Sequence, residues 1–208
     1  GQFSSGVAAR YLERVVAAIA DAAADALGRL VPARLVLGKT RTPGLIEDGR
    51  LPRVIDDALF ALRAVDEKGA TLGTLVNWSS HPEALGGKNT LVSSDFPHFL
   101  RARMEERLGG TSVFVVGSIG GLMTPLGLKL AGPGGAEVPK DSFAFAQAVG
   151  ERAADAAIAA LEAGRPAASH ALEHRRAPLF VPLENRLFRL AAFLGVIDRP
   201  LFSGGKPA

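Results

Sequence analysis

The 208-residue sequence contains no cysteine, a single tryptophan, a single tyrosine and four histidines. Without cysteine, neither a disulfide framework nor a zinc site with Cys ligands can form. A metal site in this chain would therefore have to use His, carboxylate or Tyr ligands. Long apolar runs are also absent, because the longest, such as residues 112–123, are too short and too rich in glycine to span a bilayer.

The charges are nearly balanced, with 24 Lys and Arg residues against 21 Asp and Glu residues. Although the isoelectric point is about 9.6, the basic residues form no cluster, so we expect no nucleic-acid partner. With 48% hydrophobic residues, a chain of this length can bury one sizeable core. We therefore predict a single globular domain over residues 1–208.

Hydrophobic periodicity predicts an α/β fold. Helical spacing covers residues 4–29, with Ser4 or Ser5 as the cap, 96–108, 141–163 and 183–194, and strand-like patterns cover 33–37, 54–65, 71–77, 111–116 and 172–181. Residues 66–69 join two of these strands as a hairpin turn, so the sheet should be mixed. The prediction is a layered α/β domain with a mixed β-sheet flanked by helices and with two long loops, 39–53 and 117–138.

The most polar of the loops follows the strand predicted at 71–77 and contains His81. A histidine just past the end of a strand suits metal binding or general base catalysis, because neutral imidazole is a good zinc donor and titrates near neutrality. Spacing alone leaves open that His81 is a hydrogen-bonded loop residue. Asp95 precedes the helix predicted from Phe96, where it serves either as an N-cap or as a site residue.

The other histidines carry weaker signals. His98 lies on the first turns of a predicted helix and is expected at the surface, while His170 and His174 fall in a charged stretch typical of a solvated strand edge. The glycine-rich loop 117–125 lacks the lysine of a phosphate-binding loop, which argues against nucleotide binding. Its Gly120 and Gly121 could let backbone N–H groups approach an oxyanion, or simply form a tight turn.

Three stretches, taken in order, resemble the neutral/alkaline (non-lysosomal) ceramidase family over roughly residues 1–165. Arg41-Thr42-Pro43 is similar to the family's Asn-Arg-Ser-Pro element. The run from His81 through Asn89 to Asp95 is similar, at the same spacing, to the family's run from His-Gly-Thr-Ser through Asn to Leu-Ile-Ser-Gly-Asp. Residues 120–125 resemble Gly-Asp-Val-Ser-Pro-Asn, with Thr124 at the position of the serine and one extra residue before it.

The resemblance implies a zinc-dependent hydrolase that cleaves the N-acyl (amide) bond of a ceramide-like or other lipid-like substrate. It implies zinc as the cofactor, with His81 as a ligand oriented by Asp95. The catalytic residues would be Thr124 and Arg41. The substrate would be bound by Arg41, Asn89, Gly120 and Gly121.

The resemblance also implies partners and a location. The family's upstream His-x-His cluster and its later Glu and Tyr ligands would lie outside residues 1–208, so we expect a fragment of a larger catalytic domain, completed by the remainder of its own polypeptide. A lipid-like small-molecule substrate, an extracytoplasmic (secreted or periplasmic) location and peripheral membrane contact follow from the same resemblance.

Two alternatives remain open. The first is a non-catalytic ceramidase-fold module, used for binding or structure, that has lost its zinc. Thr124 in place of serine and the Pro-Glu-Ala sequence after His81 favour it. The second is a hydrolase that uses a Ser or Thr nucleophile without metal, but the sequence offers no convincing His–carboxylate pair for it.

Overall fold

The structure is a computed structural model that describes residues 8–119, 123–169, 171, 173–197, 202–203 and 206–207. Its internal contacts divide the chain into two compact units, Gly1–Ala168 and Ser169–Ala208. That a single domain covers residues 1–208 stays a prediction.

The first unit contains a five-stranded mixed sheet. Its strands, in spatial order, are β5 (Thr111–Val116), β4 (Thr71–Trp78), β3 (Ala58–Val65), β1 (Arg34–Arg41) and β7 (Arg165–Pro166). β4 and β5 are parallel, and the other neighbours are antiparallel. The two-residue strands β2 (Glu47–Asp48) and β6 (Met123–Thr124) form a separate antiparallel ladder.

Three helices belong to this unit: α1 (Ala9–Gly28), α2 (Phe96–Leu108) and α3 (Phe143–Glu162). A short 3-10 turn covers Pro133–Gly135. α2 and α3 pack on each other and on one face of the sheet, α3 against β1 and β3 and α2 against β5. The predicted fold class, α/β with a mixed sheet flanked by helices, is confirmed.

The core lies between this face of the sheet and the two helices. Trp78, Phe96 and Phe145 are fully buried there. The ring of Phe96 lies edge-on to that of Trp78, at 5.5 Å between centroids, and to that of Phe114, at 5.4 Å. Such edge-to-face pairs add to the stabilisation from apolar burial. The core reaches the last residue of β4 and continues into the His81 loop through Ala84 and Leu85.

Two glycines let these layers approach closely. A Cβ on Gly150 of α3 would lie 2.5 Å from the carbonyl oxygen of Phe96, and one on Gly38 of β1 would lie 2.5 Å from that of Ala160. Neither distance is compatible with a side chain, so backbone packs directly on backbone at both contacts.

Several predicted boundaries are wrong near the site. β1 continues to Arg41, so the loop predicted from residue 39 begins later, and β3 begins at Ala58 rather than residue 54. The N–H of Val54 donates to Asp48 Oδ2 at 2.8 Å, which holds that segment outside the sheet. The strand β6 lies inside the predicted loop 117–138. For the first helix, Ser4 and Ser5 lie outside the described residues.

The second unit contains α4 (Arg186–Phe193) and the two-residue strands β8 (Phe202–Ser203) and β9 (Lys206–Pro207). α4 confirms the helix predicted at 183–194 and is capped by Asn185, whose side chain accepts from the next helical N–H groups. The strand predicted at 172–181 is wrong, because residues 173–185 have no regular structure. Pro178 and Pro182 lack the N–H that a sheet ladder needs.

Candidate functional site

Three strand ends meet at one edge of the sheet. Because β1 and β4 are both antiparallel to β3, and β5 is parallel to β4, the carboxyl ends of β1, β4 and β5 share this edge. Arg41 ends β1, the loop 79–95 follows β4, and residues 117–119 follow β5. Open α/β sheets bind ligands in this position. We refer to it as the candidate site.

Backbone hydrogen bonds join the loops above this edge. The β2–β6 ladder pairs Glu47 with Thr124, which connects the loop after β1 to the loop after β5. The N–H of His81 donates to the carbonyl oxygen of Met123 at 3.0 Å. The structure therefore brings the His81 and Thr124 segments together, although 42 positions separate His81 from Met123 in the sequence.

His81 is half-buried, and its ring is oriented by a backbone carbonyl. Its Nε2 lies 3.0 Å from the carbonyl oxygen of Ile119. Because a carbonyl oxygen can only accept, we assign the proton to Nε2, which leaves the lone pair of the neutral ring on Nδ1. The ring is therefore oriented to bind a metal, or to accept a proton, through Nδ1.

Asp95 acts on the backbone of the His81 loop. Its carboxylate accepts from Ala84 N–H and Leu85 N–H, both at 2.9 Å, and from Phe96 N–H at 2.6 Å. The predicted N-cap role is confirmed. In the described part of the chain, Asp95 has no hydrogen bond to the imidazole of His81. Its proposed orienting role toward His81 would act through the loop.

Arg41 is held at the site edge by a carboxylate that the sequence reasoning missed. Its Nη2 lies 2.6 Å from Oδ1 of Asp57, an ion pair without hydrogen-bond geometry, while 71% of the Arg41 side chain stays exposed. Below it, Thr42 Oγ1 donates to the carbonyl oxygen of Asp57 at 3.0 Å and accepts from the indole N–H of Trp78 at 2.9 Å. The adjacent acids Asp56 and Asp57 before an apolar strand were the signal available in the sequence.

Ser79 and Ser80, which follow β4, were also without a predicted role. Ser79 Oγ donates to Asp56 Oδ2 at 3.2 Å and accepts from Ser118 N–H at 3.0 Å, so it links the segments before β3 and after β5. The hydroxyl of Ser80 is fully buried and has no partner among the described residues. Neither hydroxyl has a hydrogen bond to a described histidine, so neither forms a triad with His81 in this structure.

The remaining predicted residues differ in their surroundings. Thr124 is buried, and its Oγ1 accepts from Leu126 N–H at 3.2 Å. Asn89 is exposed and bonds both atoms of its amide to the backbone of Leu91, at 2.9 and 3.2 Å. Gly120 and Gly121 lie outside the described residues. The structure therefore places Arg41, His81 and Thr124 at one edge, and Asn89 in an exposed turn of the His81 loop.

A shallow depression of about 310 Å³ adjoins the Arg41 side of the candidate site. It is lined by Arg41, Thr42, Pro43, Gly44, Leu45, Arg152 and Ala156. The guanidinium of Arg152 donates to the carbonyl oxygen of Ala131. Two cationic side chains thus border a partly apolar hollow next to the strand ends.

Asp48 fixes the loop that contains β2. Hydrogen bonds from Val54 N–H and Arg50 N–H lower the pKa of its carboxyl below the ordinary 3.8, aided by the positive charges of Arg50 and Arg53 and opposed by burial. Both hydrogen bonds go to the ionised carboxylate, which they favour over the acid. The ionised form of Asp48 therefore stabilises the segment beside Thr124.

The described residues contain no group of three His, Asp or Glu side chains that could hold a metal ion. None of the described helices is long and apolar enough to cross a membrane. Of the four histidines, His98 is exposed on α2 and His174 is exposed in the second unit, while His170 lies outside the described residues.

The fold and the site together define the class of this domain. It is a mixed α/β domain with a polar site at the carboxyl ends of its parallel strands. Among solved structures, the chain is similar to a neutral ceramidase from Pseudomonas aeruginosa, with a TM-score of 0.55 and 20% identity over 64% of this chain and 23% of that one. A ceramidase structure described as complexed with C2 gives a TM-score of 0.53 at the same identity and coverage. No family model and no curated protein matches the sequence.

The similarity confirms a ceramidase-like fold in part of the chain. At 20% identity it concerns the fold alone, and membership of the ceramidase family stays a prediction. The chain spans less than a quarter of the length of the ceramidases that it matches.

Proposed function

We propose that the chain forms part of a zinc-dependent hydrolase that cleaves the N-acyl bond of a ceramide-like or other lipid-like substrate. The observation that supports this most is the meeting of the His81, Arg41 and Thr124 segments at one sheet edge, in the position where α/β sheets bind ligands. The likeness of the fold to solved ceramidases is consistent with it.

His81 supplies a proton acceptor or a metal ligand. With Nε2 bonded to Ile119, its Nδ1 is the atom available to accept a proton from an attacking water or to bind a metal. The backbone bond to Met123 fixes the loop, so little reorganisation is needed for the ring to act.

Arg41 supplies positive charge for an oxyanion. Its pairing with Asp57 fixes the guanidinium, and its exposed remainder can donate to the oxygen on which negative charge develops during amide cleavage. Thr124 lies in the adjoining ladder and shapes the backbone there, since its hydroxyl already accepts from Leu126 N–H.

The proposal includes zinc only for a polypeptide that has further residues besides those described. A catalytic zinc takes about three protein ligands, and the described residues do not provide such a group. His81 would supply one ligand through Nδ1, and the others would come from elsewhere in the polypeptide. No step of the reaction is therefore assigned to the metal. The lipid-like substrate, peripheral membrane contact and extracytoplasmic location remain parts of the proposal.

The alternative is a binding or structural module that has lost zinc and catalysis. The environment of Thr124 favours it, because a buried hydroxyl that accepts from the backbone is poorly placed to attack a substrate. The two proposals differ in what His81 does, so a matched pair of histidine variants separates them.

The test compares His81→Ala with His98→Ala in the natural polypeptide that contains these residues. Both variants remove an imidazole, but His98 is exposed on α2, where its ring packs edge-on against that of Phe99. Hydrolysis of a fluorogenic N-acyl amide and of a short-chain ceramide is measured with added zinc, and the zinc content is measured by elemental analysis. We expect kcat/KM to fall about 10²–10⁴-fold in the His81 variant alone, with loss of zinc.

Two other outcomes contradict the proposal, in whole or for His81. A folded wild type that holds no zinc and cleaves neither substrate would support the non-catalytic module. Equal activity and zinc content in the two variants would show that His81 neither binds the zinc nor takes part in hydrolysis.

A further inference from the structure

The sheet has a second face, opposite to α2 and α3, and this face is apolar and exposed. Its large side chains are each between 39% and 48% exposed, and they are Leu35, Leu37, Phe60, Leu75, Val113 and Val115. We name this surface the open face. Isolated apolar residues are normal at a protein surface, but a contiguous apolar surface indicates an interface.

Strand register makes the open face continuous. Leu37 pairs with Leu62 on β3, Leu62 with Leu75 on β4, and Leu75 with Val113 on β5, so one apolar row crosses four strands. A depression of about 260 Å³ lies along this row, beside Phe60. The ammonium of Lys39 lies 4.9 Å from the centroid of the Phe60 ring and forms a positive border.

A second uncovered apolar surface lies on α1. No residue of this 20-residue helix is buried. Apolar residues recur there every three or four positions and so share one side of the helix, which we name the α1 stripe: Leu12, Val16, Ile19, Ala23 and Leu27. Since most helical stability in proteins comes from packing of such a stripe, it is expected to have a partner.

We propose that two copies of the chain pair, with the α1 stripe of each copy packed on the open face of the other. Each copy carries both surfaces, so a single two-fold axis places the α1 stripe of each copy on the open face of its partner. All four surfaces are then covered, and none is left to bind a third copy. The dimensions agree, because a 20-residue helix is about 30 Å long and the eight-residue strands of the open face are about 26 Å long.

The charges at the two borders are complementary as well. Lys39 lies on the open face, and Glu13 borders the α1 stripe one helical turn from Val16. An ion pair between them would add little stability but would favour one orientation of the helix on the sheet. This inference uses no residue of the proposed catalytic edge, so tests of the pairing can fail separately from the zinc and hydrolysis assays.

The first test measures the mass of the chain in solution by sedimentation at about 100 μM, well above the micromolar Kd at the weak end for interfaces of standard size. Ala23→Glu is compared with Ala24→Glu, which makes the same substitution about 100° around the helix from the stripe. We expect a dimer for wild type and Ala24→Glu, and a Kd raised about tenfold or more for Ala23→Glu. A monomeric wild type, or two variants with equal Kd, overturns the proposal.

The second test exploits the absence of native cysteine. Chains with Ile19→Cys are mixed with tagged chains carrying Leu75→Cys and are oxidised, and Asp21→Cys on the polar side of α1 replaces Ile19→Cys as the control. A disulfide between the Ile19 and Leu75 variants, absent from the Asp21 control, supports the pairing. Exclusive linkage of Ile19→Cys chains to each other, or linkage only within one chain that carries both substitutions, overturns it.

Discussion

Asp95 binds three backbone N–H groups with one carboxylate, and its φ is positive, at 57°. Removing the carboxylate would leave buried donors of Ala84, Leu85 and Phe96 without partners. We therefore expect Asp95→Ala to lower the free energy of unfolding by about 2–4 kcal/mol. Chemical denaturation followed by the fluorescence of the single tryptophan, Trp78, measures the change.

Asn89→Ala is the control for this prediction, because the amide of Asn89 is exposed and bonds only within its own turn. Its expected effect is within about 0.5 kcal/mol. Equal losses in the two variants would mean that the carboxylate of Asp95 does not hold the loop.

Single residues also show what the sequence could reveal of the site. His81 and Asp95 could be identified as candidates because each adjoins an apolar element, and their loop positions are as expected. Their partners could not, since Ile119 lies 38 positions from His81 and the Arg41–Asp57 pair depends on the register of β1 with β3. Local pattern contains no information about such pairings.

Gly150 fixes the distance between α2 and α3. In an exposed helix, replacing glycine by alanine stabilises by about 1 kcal/mol. Here the added Cβ would meet backbone atoms of Phe96 and Leu100 at 2.5 and 2.9 Å, so we expect Gly150→Ala to destabilise the protein by about 1–3 kcal/mol. Gly28→Ala in α1, where nothing lies within 4 Å, is the matched control and should be neutral or slightly stabilising. Thermal unfolding that gives the same sign for both would refute the packing argument.

The loop that contains β2 should be sensitive to pH through Asp48. Its pKa is lower in the folded chain than the ordinary 3.8, so its contribution to stability is fully present above that value and is lost as the pH falls through the folded pKa. We expect Asp48→Asn to be less stable than wild type at pH 6, with the difference shrinking below pH 3.8. Urea denaturation at several pH values tests this, and a difference independent of pH would contradict it.

Longer elements could be predicted better than short ones. The bounds of α2 and β5 agree with the periodicity, since their ends coincide with Asp95, Gly109 and Gly117 as capping or turn residues. The two-residue β2–β6 ladder was missed, because two residues cannot display a period. The apolar segment around Phe180 predicted a strand, yet it lies between two prolines, and residues 173–185 have no regular secondary structure.

At the scale of the whole molecule, the predicted α/β class is confirmed, and the sheet of the first unit has helices on one face and an apolar open face on the other. The sequence pattern could predict the sheet but not the exposure of one of its faces. Apolar residues on both sides of a strand are typical of a sheet that is covered on both faces. Exposure in the folded chain supplied the missing information.

If the open face binds α1 of a second copy, unfolding also dissociates a dimer, and stability must depend on chain concentration. A tenfold rise in concentration then adds about 1.4 kcal/mol per dimer. With an unfolding entropy of about 2.1 cal/mol/K per residue over two chains, Tm rises by roughly 1–2 °C per tenfold step. Scanning calorimetry over a hundredfold range should resolve this rise in wild type and Ala24→Glu and find it reduced or absent in Ala23→Glu. A Tm of wild type that stays constant over that range would instead show that each chain unfolds alone.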